Sequence, residues 1–410
     1  MMNSKINKLW IKVEDLIIYS PFIVTFIIIF NFPDSKHFVS RVTIVSALYC
    51  AVRFYPLWKV DLKEKNPIII GSFIFCGYFF FMQYLNDGNS DLPRSVLYLF
   101  VYFIFFPLEK FNNKLLYYFL IFSSFLLGVN AYYQVFYLGI YRAGFLAINP
   151  IPYSYFSGIC LIILSYFTLK DNDKTLSETL LSFIGIFLSF SSIILTQTRA
   201  TLLAILIVFV FSSIYTVMTS PSRVKISSVL IGYVIFPMML WNIPIVQQRI
   251  TDVVDQIHNY NNNDYSSSSG IRLKLWESGL DIASGSIMLG TERHLVMSIS
   301  SDKISNKTYP SYLSVFLIHP NANFHNQYIQ ALVDSGLLGL ILFLFFISIP
   351  FIFLFNSENY NTKLLGISIS IFTAICLCFD SLFLYNHTVI LYSLVIMISF
   401  GVRYNEKEEL

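Results

Sequence analysis

The stretch GLLGLILFLFFISIPFIFLF, residues 336–355, carries no charge and is 20 residues long. That is the length a helix needs to cross the hydrocarbon core of a bilayer. Comparable runs recur along the whole 410-residue chain. Inside lipid every backbone N–H and C=O must find its partner within the protein, so only helices and closed barrels span it. These runs are continuous rather than alternating, which excludes a barrel. The chain therefore reads as an all-α polytopic membrane protein. Its charged fraction of 12% against 56% hydrophobic residues, with mean hydropathy +0.64, agrees.

Apolar runs and their polar interruptions predict twelve spans. They lie near 16–32, 39–57, 67–85, 95–108, 115–138, 151–169, 177–197, 200–218, 226–245, 327–355, 362–382 and 386–403. One hydrophilic insert interrupts the series, which divides the chain into spans one to nine (1–245), a large loop (246–326), and spans ten to twelve with a short tail (327–410). Lys and Arg crowd one set of loops: Lys5, Lys8 and Lys12, then Lys59, Lys63 and Lys65, Lys110 and Lys114, Lys170 and Lys174, Arg223 and Lys225, Lys363, Arg403 and Lys407. The short loops of the opposite set hold Lys36, Arg41, Arg94, Arg142 and Arg199. The positive-inside rule then places both termini in the cytoplasm and the large loop outside the inner membrane. The first apolar run lacks a small-residue cleavage site, so no cleavable signal peptide is expected. Cys50, Cys76, Cys160, Cys376 and Cys378 fall inside apolar runs and read as small hydrophobes.

In this topology all six histidines, together with Arg142, Arg199 and Arg272, fall on the outer side. Arg199, in TQTRATLL, breaks two spans; its helical neighbours are Leu195, Thr196, Leu202 and Leu203. Arg272, in SGIRLKLWESGLDI, has Ser268, Ser269, Leu275 and Trp276 at those spacings. Neither has a local carboxylate at helical spacing, and neither does Arg142 in YRAGFLAINP. Each taken alone reads sooner as an arginine snorkelling to headgroups. Three on one face point to a shared anionic ligand, since the planar guanidinium suits phosphate. In FHNQYIQALVDSGLLGL, His325 sits at the outer end of the tenth span, suited to take a proton near neutral pH. Asn326 reads as the N-cap of the following helix, and capping and chemistry do not exclude one another. Asp380 reads as the only acid well inside a span, able to orient His325, to pair an arginine, or merely to end a helix. Gly336 and Gly339 read as helix-packing positions. No His, Asp or Glu cluster of the loop has metal-site spacing, and Asp171–Asn172–Asp173 reads as a polar turn on the other side. NNNDYSSSS, residues 261–269, reads as a flexible connector that lets the Arg272 helix move.

TQTRATLL, the GIRLKLWESGL helix, FHNQYIQALVDSGLLGLILF and the twelve-span layout with its large outer loop together resemble bacterial O-antigen ligases of the WaaL type. These sit in a wider family that includes O-antigen polymerases. The resemblance implies an inverting glycosyltransferase that needs no metal or other cofactor and works on the periplasmic face. Its donor would be a glycan on undecaprenyl diphosphate, its acceptor a sugar hydroxyl of lipid A–core, with membrane lipids around it and no nucleic acid partner. Arg199, Arg272 and, on a looser match, Arg142 then correspond to diphosphate-binding arginines, and His325 to the general base. Asn326 and Asp380 are secondary candidates. A polymerase shares the FHN motif. A lipid-linked glycan transporter would instead need ionisable residues deep in several spans.

Overall fold

A computed structural model of the chain describes residues 2–88, 90–170, 174–219, 247–248, 251–252, 254–256, 258, 265–319 and 322–409, with side chains from residue 13. Every described secondary-structure element is helical. The long elements are α1 (Met2–Ile23), α2 (Lys36–Arg53), α3 (Tyr55–Asn86), α4 (Asp91–Phe105), α5 (Asn113–Tyr132), α6 (Pro150–Lys170), α7 (Leu176–Thr196) and α8 (Arg199–Thr219). After the insert's α9 (Ser268–Ser284) and α10 (Arg293–Ser305) come α11 (Gln327–Phe355), α12 (Tyr360–Phe379) and α13 (Asn386–Glu409). Wide π turns continue α1 through Val24–Ile29 and α5 through Tyr133–Tyr137.

Among the described residues, eight helices are long and apolar enough to cross a membrane: α3, α5 to α8 and α11 to α13. The polytopic helical class therefore holds, while the count of twelve exceeds what these residues show. α4 has only 15 residues. α2 carries Lys36, Arg41 and Arg53, and the start of α1 carries Lys5, Lys8, Lys12, Glu14 and Asp15, so charge interrupts their apolar windows. The run 226–245 and the Asp171–Asn172–Asp173 turn lie outside the described residues, as do Arg223 and Lys225.

α3 begins twelve residues before the expected start of its span, and this moves Lys65 from a loop into the helix. Lys65 is fully buried and donates to the carbonyls of Ile104 (3.3 Å) and Phe106 (2.5 Å). Its partner one turn earlier, Asp61, stands 3.6 Å away and accepts the backbone N–H of Leu108 at 2.8 Å. The pair thus satisfies the loose carbonyls where α4 ends, which a helix terminus otherwise leaves open. The Phe103 ring lies under the ammonium at 5.2 Å.

One apolar core runs through the bundle, with α11 against α12, α6 against α7, and α13 almost wholly buried in the middle. A second, smaller cluster joins the insert to the first two turns of α11: Leu275, Ile282 and Ala283 from α9 meet Leu313, Leu317, Phe324, Ile329 and Val333. Gly279 permits this contact, because a Cβ there would lie 2.4 Å from Ile329 Cγ2. The insert is therefore anchored on the bundle at the end where α11 starts.

Candidate functional site

The loop carrying Arg142 is built on the end of α7. Ala143 N–H donates to Leu195 O at 3.0 Å, and Gln197, held at φ 53°, donates from its side chain to Tyr141 O at 2.7 Å. From the other side Gln134, buried in the π turn after α5, accepts Gly144 N–H at 2.8 Å. Arg142 itself donates to Thr196 O at 2.7 Å and to Thr198 Oγ1 at 3.2 Å, a cation placed on a helix C-terminus. It thereby braces the two-residue break that presents Arg199 at the first position of α8.

Arg199 has a carboxylate partner after all. Its guanidinium donates to Asp252 Oδ2 and to Gln256 Oε1, each at 2.9 Å. The absence of an acid at helical spacing on α8 was correctly read, but the partner comes from 53 residues away, which no local pattern reveals. Both side chains of this pair keep about a third of their surface in solvent. Gln256 also accepts Ser269 Oγ–H at 2.6 Å, which ties this corner to the start of α9.

Arg272 and Trp276 stand one turn apart on α9, on one face of it. Arg272 donates from Nη1 to Ser268 Oγ at 3.0 Å, and its Nε is buried without a hydrogen-bond partner among the described residues. Burial holds this guanidinium below its ordinary pKa; the charge of Asp380 opposes that shift and the charge of Arg199 adds to it. Those two charges act on Arg272 because the fold brings Arg199, Arg272 and Asp380 near one another.

His325 closes the site. Its backbone takes a left-handed conformation, φ 49°, which costs a non-glycine residue energy and is common where geometry serves function. The surroundings hold it there. Its N–H donates to Asn323 Oδ1 at 2.8 Å, its carbonyl accepts Trp276 Nε1–H at 3.3 Å, and Phe316 stands edge-on to the ring, 5.6 Å between centroids. Asn326 is the N-cap of α11, accepting the N–H groups of Tyr328 (3.0 Å) and Ile329 (3.2 Å). His325 Nδ1 lies 2.8 Å from Oδ1 of Asp380, which sits just beyond the end of α12 and is 1% exposed. A ring whose Nδ1–H faces a carboxylate keeps its Nε2 lone pair free to accept a proton. The other carboxylate oxygen, Oδ2, is buried without a hydrogen-bond partner among the described residues.

Three features escaped the sequence reading. Asp380 is not the only acid deep in a span: Asp334 lies in the second turn of α11, accepting Gln330 Nε2–H at 2.9 Å. Gly336 serves a kink rather than helix packing. With φ 67° and ψ −171° it leaves the helical region, and a Cβ there would lie 2.1 Å from Met288 O of the insert. The freed backbone groups are used by that same loop, through Leu337 N–H to Ile287 O (2.8 Å) and Thr291 N–H to Val333 O (2.7 Å). The third feature is the pair of buried glutamines in the first turn of α11, Gln327 and Gln330, whose spacing alone resembles ordinary helix polarity. Among the described residues no three of His, Cys, Asp and Glu gather as metal ligands would. Pro320 and Asn321, just before the site, lie outside the described residues, as do residues 261–264 of the expected connector.

This arrangement joins a phosphate-suited pair of arginines to a carboxylate-backed histidine. Residues 184–344, which contain Arg199, Arg272 and His325, match the family model described as O-antigen ligase. Over that stretch the chain is similar to O-antigen ligases. That family covers ligases and the related polymerases, both of which join glycans in a membrane setting. No curated protein matches the chain.

Proposed function

We propose that this protein transfers glycan from undecaprenyl diphosphate to a sugar hydroxyl of lipid A–core, by a single inverting displacement without a metal, on the periplasmic face of the inner membrane. The observation that carries the reading is the His325–Asp380 pair, with Arg272 and Arg199 close enough for the charges of Asp380 and Arg199 to act on Arg272. Leaving-group charge develops on the diphosphate as the sugar bond breaks, and preorganised guanidiniums stabilise it most where water is scarce. His325 Nε2 accepts the acceptor hydroxyl's proton as that oxygen attacks the opposite face of the anomeric carbon. Asp380 stabilises the imidazolium that forms.

A lipid-linked donor also accounts for an apolar groove of about 1280 Å³ between α6, α7, α8 and α12. Its wall includes Ser191, Ile194 and Leu195, within two turns of Arg199, and reaches Leu169 and Asn361 near the other helix ends. An isoprenoid chain lying there would deliver its diphosphate to the arginines. The Lys and Arg bias of the loops supports cytoplasmic termini and an outer site.

The test is a gel of surface lipopolysaccharide from a strain lacking the gene, with its carrier-linked glycan measured alongside. Bare core with long glycan accumulating on undecaprenyl diphosphate supports the ligase. Core bearing a single repeat unit would replace it with the polymerase of the same family, whose acceptor is another lipid-linked unit. An unchanged ladder would overturn both.

A further inference from the structure

We infer that Gln330 is the positioning residue that sets His325 and Asp380 in register, an inference that rests on the reading of His325 as the base. His325 and Asp380 belong to segments 55 residues apart in sequence, one before α11 and one after α12. Gln330, 1% exposed, reaches both segments with one atom. Its Oε1 accepts Phe324 N–H at 3.3 Å, directly before His325, and Ser381 Oγ–H at 3.5 Å, directly after Asp380. Ser381 N–H in turn donates to Asp380 Oδ1 at 2.9 Å, the same oxygen that faces His325 Nδ1.

A buried amide holds two neighbours this way only if its oxygen points at them, and Asp334 fixes that choice. Asp334 Oδ2 accepts Gln330 Nε2–H at 2.9 Å, which leaves the oxygen for Phe324 and Ser381. Arg293 of α10 lies near enough to act on the Asp334 carboxylate. Gln327, one turn earlier, secures the same segment by accepting Phe383 N–H at 2.8 Å. The first two turns of α11 thus form a template on which the two halves of the pair are laid. An error of about 1 Å in such a pair costs on the order of 10²-fold in rate.

The experiment uses the full-length protein in detergent, with undecaprenyl-diphosphate-linked glycan as donor and lipid A–core as acceptor, following release of undecaprenyl diphosphate. Gln330→Met keeps the side-chain length and removes both hydrogen-bonding atoms. The expected result is a kcat lower by about 10²-fold with the donor KM unchanged. Asp334→Asn, which still offers an oxygen to Gln330, should keep near-normal activity, whereas Asp334→Leu should reproduce the Gln330→Met loss of kcat. If Gln330→Met does not accumulate, Ser381→Ala removes one donor without disturbing bulk and should show the same loss of kcat on a smaller scale. His325→Ala inactive beside an unchanged Gln330→Met, or Ser381→Ala in its place, would overturn the positioning role alone. Full activity in His325→Ala would overturn the reading of the site itself, and the positioning role with it.

Discussion

Two buried ionic clusters, one between α9, α11 and α12 and one on α3, use similar residues to opposite ends. On α3, Lys65 and Asp61 face each other at 3.6 Å, and the lysine spends its hydrogen bonds on the carbonyls of Ile104 and Phe106. At the far end of α3, Asn86 donates to the carbonyls of Leu289 (2.7 Å) and Asp334 (3.1 Å), beside the template that carries His325. In the first of these clusters the charges are left open: Arg272 Nε and Asp380 Oδ2 are buried with no hydrogen-bond partner among the described residues. A buried polar group without a partner carries a desolvation penalty of roughly 1–3 kcal/mol, more when charged. The closed cluster therefore holds helices together, and the open one is poised to receive something that completes it.

Substitutions separate the two. His325→Ala should lower the transfer rate by about 10²–10⁴-fold, the usual contribution of a general base, with thermal stability unchanged. A rate within a few-fold of wild type would end the distinction. Lys65→Met should do the reverse, stripping Asp61 of its partner at a cost of about 3–5 kcal/mol in stability, read by thermal unfolding in detergent. Adding Asp61→Leu should recover part of that loss, since a well-packed apolar pair of similar volume often matches a buried ion pair. Arg272→Gln should weaken donor use by about 1.5–3 kcal/mol, the worth of a charged hydrogen bond, seen in kcat/KM with folding intact. Equal loss of stability in that variant would make Arg272 a structural residue like Lys65.

The smallest effect concerns the insert's own surface. Hydrogen bonds from Lys303 and from Tyr309 (2.5 Å) hold the Asp281 carboxyl below its ordinary pKa. A group whose folded pKa is depressed adds stability above its unfolded value of about 3.9 and loses it as pH falls through the folded value. Hydrogen exchange in α9 should therefore rise modestly below about pH 4, and Asp281→Asn should abolish that pH dependence. Asp281 is largely solvated, so the transfer rate near neutral pH should hardly change.

Hydropathy placed α11 at residues 327–355, the bounds the structure shows, because a long apolar run flanked by polar residues admits one solution. The capping role of Asn326 was legible for the same reason: an Asn before an apolar run satisfies N–H groups two and three residues later. The start of α3 was not legible, since Lys65 and Asp61 look like loop charges until their partners on α4 are seen. Arg199 looked bare for the same reason, its carboxylate lying in the insert.

By itself the sequence determined the polytopic helical class and put Arg199 and His325 at the ends of apolar runs, because each follows from transfer free energies read within one segment. Only the tertiary structure decided that Asp380 backs His325, that Asp252 holds Arg199, and that Gln330 joins the two arms of the site. Those pairings depend on the packing of α9 and α12 on α11, and contacts between distant segments leave no period or spacing in the chain.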